Sequence, residues 1–321
     1  MKPNHSSPPS ISSSLNFQDS ETRNWLDLPR DITATILLKL GPIEILNNAQ
    51  RVCTLWRSIS KDPLMWRVID MTYSFSFDPS CIEKMCRHAI DRSQGNLVAI
   101  TLCYVASDDL LHYIADSTSH LQRLRLLSCW DISEEGMSEV AKKLPLLEDL
   151  DITIGNLSKD ALEAIGQCCP LLKSLKFNMQ AYKDPNFVFD EEAFAIAKHM
   201  PKLCHLQLFG NKLSDDGVLA ILDGCPRLES LDLRRCFNVN LGGSLKKRCA
   251  EQIRDFRHPN DPTDDYGFDG GSDYDDDSFG YDEYFDYEDY PSGILDMLST
   301  DDEYDYYGFS YGSDYEAYFG L

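Results

Sequence analysis

Between residues 95 and 257 the apolar positions follow two alternating rhythms. A short run carries Leu, Ile or Phe at every second place, and a longer stretch then carries apolar residues three and four apart. The first rhythm is that of a strand with one buried face, the second that of an amphipathic helix. The short run recurs as "PLLEDLDI" from Pro145, "PLLKSLKF" from Pro170, "PKLCHLQL" from Pro201 and "PRLESLDL" from Pro226. Two forms lack the proline, "GNLVAITL" from Gly95 and "SHLQRLRL" from Ser119. The first leucines are Leu97, Leu121, Leu147, Leu172, Leu203 and Leu228, at intervals of 24, 26, 25, 31 and 25 residues. The helical halves, such as "SEEGMSEVAKKL", "SKDALEAIGQCC" and "SDDGVLAILDGC", open on a serine suited to cap a helix, followed by acids in the first turn. Each unit is therefore one strand plus one helix. No unit hides its apolar face alone, so the units must stack.

Ahead of the array, residues 23–70 carry a compact helical pattern. Pro29 suits a first helical turn, and Ile32, Ile36 and Leu40 form a stripe with Leu37 beside it. Gly41-Pro42 breaks that helix, and a second from about Ile43 aligns Ile45, Ala49, Val52 and Trp56. A third short segment runs through Leu55 and Ile59 to "DPLMW". Three short helices cannot hide this much apolar surface among themselves, so a partner or the first repeats must cover some of it. Residues 71–94 form a linker with a helix near Ile82–Ile90. At the other end, "SLKKRCAEQIRDF" places Leu245, Cys249, Ile253 and Phe256 on one face of a closing helix, stopped by "RHPNDP".

On a strand of the form Leu-x-Leu the leucines point one way and their neighbours the other. The outward positions are Thr101, Arg125, Asp151, Lys176, Gln207 and Asp232, then Cys103, Leu127, Thr153, Asn178, Phe209 and Arg234. These line either a partner-binding face, with Leu127 and Phe209 as apolar anchors, or a plain solvated one. Their mixed charge suits a protein partner better than a nucleic acid. The fourth unit is longer, and Tyr182, Phe187 and Phe189 of its insertion either reach over a partner or fill the wider unit.

Charge sharpens the division of the chain. The net charge is −23, yet residues 258–321 hold 20 of the 53 acids, none of the 30 bases and 12 of the 16 tyrosines. Residues 1–257 are thus nearly neutral, and residues 258–321 read as an acidic disordered tail, with Ile294, Leu295 and Leu298 as a short binding helix. Such a pattern attracts neither nucleic acid nor anionic membranes. "DYDDDSFGYDEY" lacks the glycine and the glutamate that a calcium loop needs at its sixth and twelfth places. Residues 1–22 read as a polar disordered leader, not a secretory signal. No apolar run reaches the roughly 18 residues of a membrane span. Eleven cysteines without a CxxC pair suggest reduced, buried thiols in the nucleus or cytoplasm and no structural metal. No phosphate loop, nucleophile elbow or HExxH is present, so neither an enzyme nor a cofactor is expected.

Residues 95–257 resemble leucine-rich repeats (LRR) of the cysteine-containing subtype. Cys129 and Cys236 stand where that pattern has its cysteine after the strand, while Gly155, Gln180 and Asn211 depart from it. Residues 23–70 resemble an F-box in Leu28-Pro29, Ile36-Leu37, Leu40, Leu46, Val52-Cys53, Trp56-Arg57 and Leu64-x-Trp66. Arg30-Asp31 departs from the family's more usual glutamate but keeps an acid. "NNAQRVCTLWR" is most similar to the plant group of Skp-interacting F-box/LRR proteins. The resemblance implies an α/β chain: a three-helix F-box, a short solenoid of about six repeats made of parallel strands plus helices, then the tail. It implies docking on a Skp-type adaptor, bound in turn to a cullin–RING core, while the repeats present a protein substrate for ubiquitination. The adaptor-facing candidates it implies are Leu28, Pro29, Ile32, Ile36, Leu40, Leu46, Val52 and Trp56, each alternatively plain core. Trp66 is the expected hinge between F-box and linker. The competing reading is an LRR scaffold or acidic chaperone-like protein without ligase coupling.

Overall fold

The computed structural model describes residues 25–72, 78–180 and 187–266. The expected leader, Tyr182 of the insertion and the tail beyond Tyr266, with Ile294, Leu295 and Leu298, lie outside the described residues.

Three short helices come first: α1 (Arg30–Leu38), α2 (Pro42–Asn47) and α3 (Thr54–Ser60). Strand β1 (Val68–Met71) and helix α4 (Pro79–Ser93) follow. Strands and helices then alternate through β2 (Ala99–Cys103), α5 (Asp108–Ser117), β3 (Arg123–Cys129), α6 (Glu134–Ala141), β4 (Asp149–Gly155) and α7 (Lys159–Cys168). The array continues through β5 (Ser174–Asn178), α8 (Glu191–His199), β6 (His205–Gln207), α9 (Asp215–Gly224), β7 (Ser230–Asp232), α10 (Ser244–Gln252) and β8 (Asp255–Arg257). The eight strands form one parallel sheet in chain order. Register is strict: Leu124, Leu150, Leu175, Leu206 and Leu231 are paired strand to strand, and all are buried. A single apolar core runs from Leu37 to Ile253.

The sheet has a strand more at each end than the six sequence repeats supply. Trp66, Ile69 and Met71 occupy the Leu-x-x-Leu-x-Leu positions of a unit before the first, and all three are buried. At the far end Ile253 and Phe256 do the same, Ile253 standing 25 residues after Leu228. The expected closing helix is therefore shorter than its periodicity suggested: α10 stops at Gln252, and Phe256 belongs to β8. A series of backbone bonds proves the register. Val98 N–H donates to Arg67 O at 2.8 Å, Gln122 to Val98, Glu148 to Gln122, Lys173 to Glu148, Cys204 to Lys173, Glu229 to Cys204 and Arg254 to Glu229.

Two further devices repeat. The residue after the second outward position turns left-handed in Tyr104 (φ 65), Ser128 (φ 51), Ile154 (φ 58), Gly210 (φ 68) and Arg235 (φ 60), which bends the chain from strand toward helix. Acids at the helix starts also reach farther than their own helix. Asp108 accepts from Ser133 N at 2.8 Å and Ser133 Oγ at 2.6 Å, and Asp190 accepts from Ser214 N and Oγ, both at 2.7 Å. Asp215 accepts from Asn240 N, and Glu134 from Ala161 N. Ser107, Ser133 and Ser214 cap their helices as expected, but Ser158 does not. Its backbone N–H is instead satisfied by Glu134 of the preceding unit.

Candidate interaction surfaces

In the N-terminal module, α1 packs its Thr33–Leu37 side inward, Leu37 being fully buried. Arg30 clamps α1 to α3 by donating to Ser58 Oγ at 3.1 Å and Ser58 O at 3.2 Å. The Ile32–Ile36–Leu40 stripe is consequently turned outward: Ile32 and Leu40 are exposed and Ile36 is half-buried. Pro29 is exposed and Leu28 half-buried. Val52, aligned by periodicity on a second helix with Ile45 and Ala49, instead follows a 3-10 turn (Ala49–Arg51) and is 63% exposed. Leu46 is a correction, because at 2% exposure it is core and offers nothing to a partner. Trp56 is half-buried against the core, so it braces the module more than it faces outward. Trp25, Leu38 and Leu64 are also exposed; of these only Leu64 stands in the F-box motif, and none is among the adaptor-facing candidates. The result is a small helical unit with an apolar exterior, which water tolerates poorly.

Trp66 is 1% exposed and its indole N–H donates to Ser60 O at 2.8 Å. The Arg92 guanidinium of α4 lies 5.5 Å from its ring centre and also donates to Gln50 Oε1 at 2.9 Å. The side chain thus joins the helical module to the first turn of the solenoid.

The outward strand residues form a ladder of alternating charge. Arg125 bonds to Asp151 at 3.1 Å, Lys176 lies 3.8 Å from the same carboxylate, and Gln207 donates to Asp232 at 2.9 Å. One row along, Asn178 donates to Thr153 Oγ1 at 2.9 Å and accepts from Phe209 N at 3.1 Å. Thr153 in turn donates to Asp151 at 2.7 Å. Arg125 is exposed and Lys176 and Gln207 are half-buried. The remaining candidates correct the expectation of an open face. Asp151, Thr153, Asn178, Asp232 and Arg234 are buried, Thr101 and Cys103 with them, and so are the presumed anchors Leu127 (6% exposed) and Phe209 (8%). Leu127 is enclosed in register between Cys103 and Thr153.

Phe209 and Arg234 are covered by residues assigned from sequence to the tail. After β8 the chain returns across the face. Arg235 N–H donates to Pro259 O at 2.8 Å, continuing the ladder for one more step. Arg234 Nη1 then donates to Pro262 O at 2.9 Å and to the Asp265 carboxylate. Tyr266 stacks on Phe209 with centroids 3.8 Å apart and planes 5° from parallel. The bonded guanidinium of Arg234 holds Asp265 below the usual carboxylate range, while burial pushes the Tyr266 phenol up. Lys176, Gln207, Asp232, Arg234 and Arg257 line an open groove of about 230 Å³ beside this strap.

Residues 25–72 match the family model described as F-box-like, and residues 199–222 match one described as Leucine Rich repeat. The chain is 48% identical over 301 residues to the F-box protein SKIP19 of Arabidopsis thaliana, covering 93% of this chain and 92% of that one. The chain is an F-box/LRR-repeat protein. It shares 45% identity with the putative F-box/LRR-repeat protein 22 of the same plant, over 82% of this chain and 86% of the other. With the putative F-box/LRR-repeat protein 23 it shares 50% identity over 77% of its own length and 56% of that protein's. A solved Bacteroides fragilis protein superposes with a TM-score of 0.37 at 14% identity, over 60% of this chain and 65% of that one.

The F-box/LRR chain keeps its eleven cysteines as free thiols. Cys129, the last residue of β3, and Cys236, beyond β7, turn their sulfurs onto carbonyls of the preceding unit, Leu102 O at 3.7 Å and Leu208 O at 2.8 Å. Burial raises Cys129 and Cys225 to about 11 and Cys86 and Cys169 to about 12, so they stay protonated and unreactive at neutral pH. Among the described residues no group of His, Cys, Asp and Glu could hold a metal ion, and no helix is long and apolar enough to cross a membrane.

Proposed function

We propose that this F-box/LRR protein is the substrate-receptor subunit of a Skp–cullin–F-box ubiquitin ligase. The F-box docks on a Skp-type adaptor, and the repeats hold a protein substrate near the ubiquitin-carrying enzyme. Its contribution is placement: tethering raises the effective concentration of a substrate lysine without any catalytic group on this chain. The observation that carries the reading is the apolar exterior of residues 25–64, with Ile32 (46%), Leu40 (43%), Val52 (63%) and Leu64 (65%) exposed on a unit matching the F-box-like model. Isolated in water this surface is a liability; against an apolar partner it becomes the centre of an interface.

The test is capture of a Skp adaptor by the purified full chain. Ile32→Asp/Val52→Asp puts two charges on exposed positions, so the fold is retained while the interface loses about 2–4 kcal/mol, the scale of a hot spot. Adaptor binding should fall beyond detection with circular dichroism unchanged. Undiminished capture by the folded variant would exclude this surface. A wild-type chain that captures no adaptor would favour the scaffold reading.

A further inference from the structure

A solenoid end needs its last strand and last apolar layer covered. Strand β8 and Pro259 achieve that. The next residues go farther: from β8 they pass Arg234 after β7 and Phe209 after β6, and the Tyr266 hydroxyl reaches Thr153 on β4. At roughly 4.8 Å per strand this crosses about 20 Å of the concave face. A cap has no need of such reach.

We propose that the concave face between β4 and β8 is a binding site for a short peptide segment carrying an aspartate followed by a tyrosine, and that Pro262–Tyr266 is its built-in occupant, displaced by a partner of the same chemistry. The proposal deepens the substrate-receptor reading and rests on it only for its biological use.

The chemistry of the occupant is dictated by the wall it sits on. The Arg234 side chain is only 5% exposed, and its Nε and Nη2 are already bonded to Asp232. Nη1 remains, and the strap gives it two acceptors, a backbone carbonyl and a carboxylate. A buried guanidinium N–H left without them is costly, so whatever displaces the strap must bring equivalent acceptors. Arg257, 3.5 Å from the second Asp265 oxygen, adds a second cation for the same carboxylate. Beside them the flat Phe209 ring is stacked by the Tyr266 ring, whose hydroxyl interacts with Thr153.

The wall is rigid on its own account. Asn178 ties Phe209 N to Thr153, and Thr153 is tied to Asp151, by bonds that involve no strap residue. The strap is the weaker side. Pro262, Asp264 and Asp265 are exposed, and Tyr266 is half-buried. Its hold comes from short tethering, which makes a few contacts compete at a high effective concentration.

The experiment titrates a fluorescent peptide of sequence HPNDPTDDYG into the full chain and into the full-length Asp265→Ala/Tyr266→Ala variant. The variant should bind at least about fivefold more tightly than wild type, because the tethered competitor is gone. Adding Arg257→Ala to the variant, or replacing the peptide's tyrosine by alanine, should weaken binding by at least about fivefold. Equal affinity for the two chains, no binding to the variant, or indifference to the peptide's tyrosine would each overturn the proposal. If the double variant lacks a melting transition, the Asp265→Asn chain decides by the same criteria. Adaptor capture separates the two readings. Capture without peptide binding rejects the peptide site alone, and peptide binding without capture rejects the ligase reading alone.

Discussion

At the scale of single residues, the thiols show how burial translates into behaviour. Cys86, Cys129, Cys169 and Cys225 ionise near pH 9 when exposed to water and only at about 11 to 12 in the fold. The folded chain therefore retains protons that the unfolded chain releases above pH 9, and stability falls as pH rises through that interval. Urea unfolding from pH 7 to 10.5 should show a midpoint that holds to about pH 9 and then declines, and a flat profile would contradict the burial. The left-handed positions are a second residue-scale feature. Arg235 is exposed at φ 60, a conformation that costs a non-glycine residue about 1 kcal/mol. Arg235→Gly should raise the melting temperature by about 2–4 °C, whereas a drop would mean that the side chain has an unseen role. Inward residues were legible because period two leaves leucines no other place. Exposure of the outward ones was not. Phe209 and Arg234 are buried by Asp265 and Tyr266, which composition alone assigns to an acidic tail, and no local pattern reports a cover brought from about thirty to nearly sixty residues away.

At the scale of elements, the units are joined by more than apolar stacking. The acid that opens one helix satisfies the backbone at the start of the next, as Asp190 does for Ser214 N and Oγ. The glycine in "SDDGV" fits this bracket, since a Cβ on Gly217 would lie 2.4 Å from Asp190 Oδ1. Gly136 stands in the same relation to Asp108, at 2.1 Å. Asp190→Ala should cost about 2 kcal/mol, the scale of hydrogen bonds to a charged group. The loss should appear as faster amide exchange at the start of α9, and an effect confined to α8 would refute the bracket. The sequence carried the acids and serines of these brackets, but their spacing is also that of ordinary helix capping and dipole compensation. Only stacking at a fixed repeat height brings residues about 25 apart together. The same ambiguity hid β8: Ile253 and Phe256 satisfy both a helical face and a Leu-x-x-Leu strand. The repeat interval decides for the strand.

At the scale of the whole molecule, the F-box and the repeats are one body because they share a residue. Trp66 closes the F-box motif and is also the first apolar position of the solenoid, so a boundary drawn at residue 70 cuts through a packed core. Under the receptor role proposed above, such fusion would transmit geometry: a loose joint would spread a bound substrate over a larger volume and lower its effective concentration. Trp66→Ala removes a fully buried indole and its bond to Ser60 and should cost about 3–5 kcal/mol. Nearest-neighbour coupling in repeat arrays localises that loss to the adjoining units. Amide exchange in α1–α3 and β1 should therefore rise sharply while β4–β7 keep their protection, and the wild type should open both regions together. Uniform loss of protection from α1 to β7 would show that the indole supports the solenoid as a whole and is not a joint between two parts.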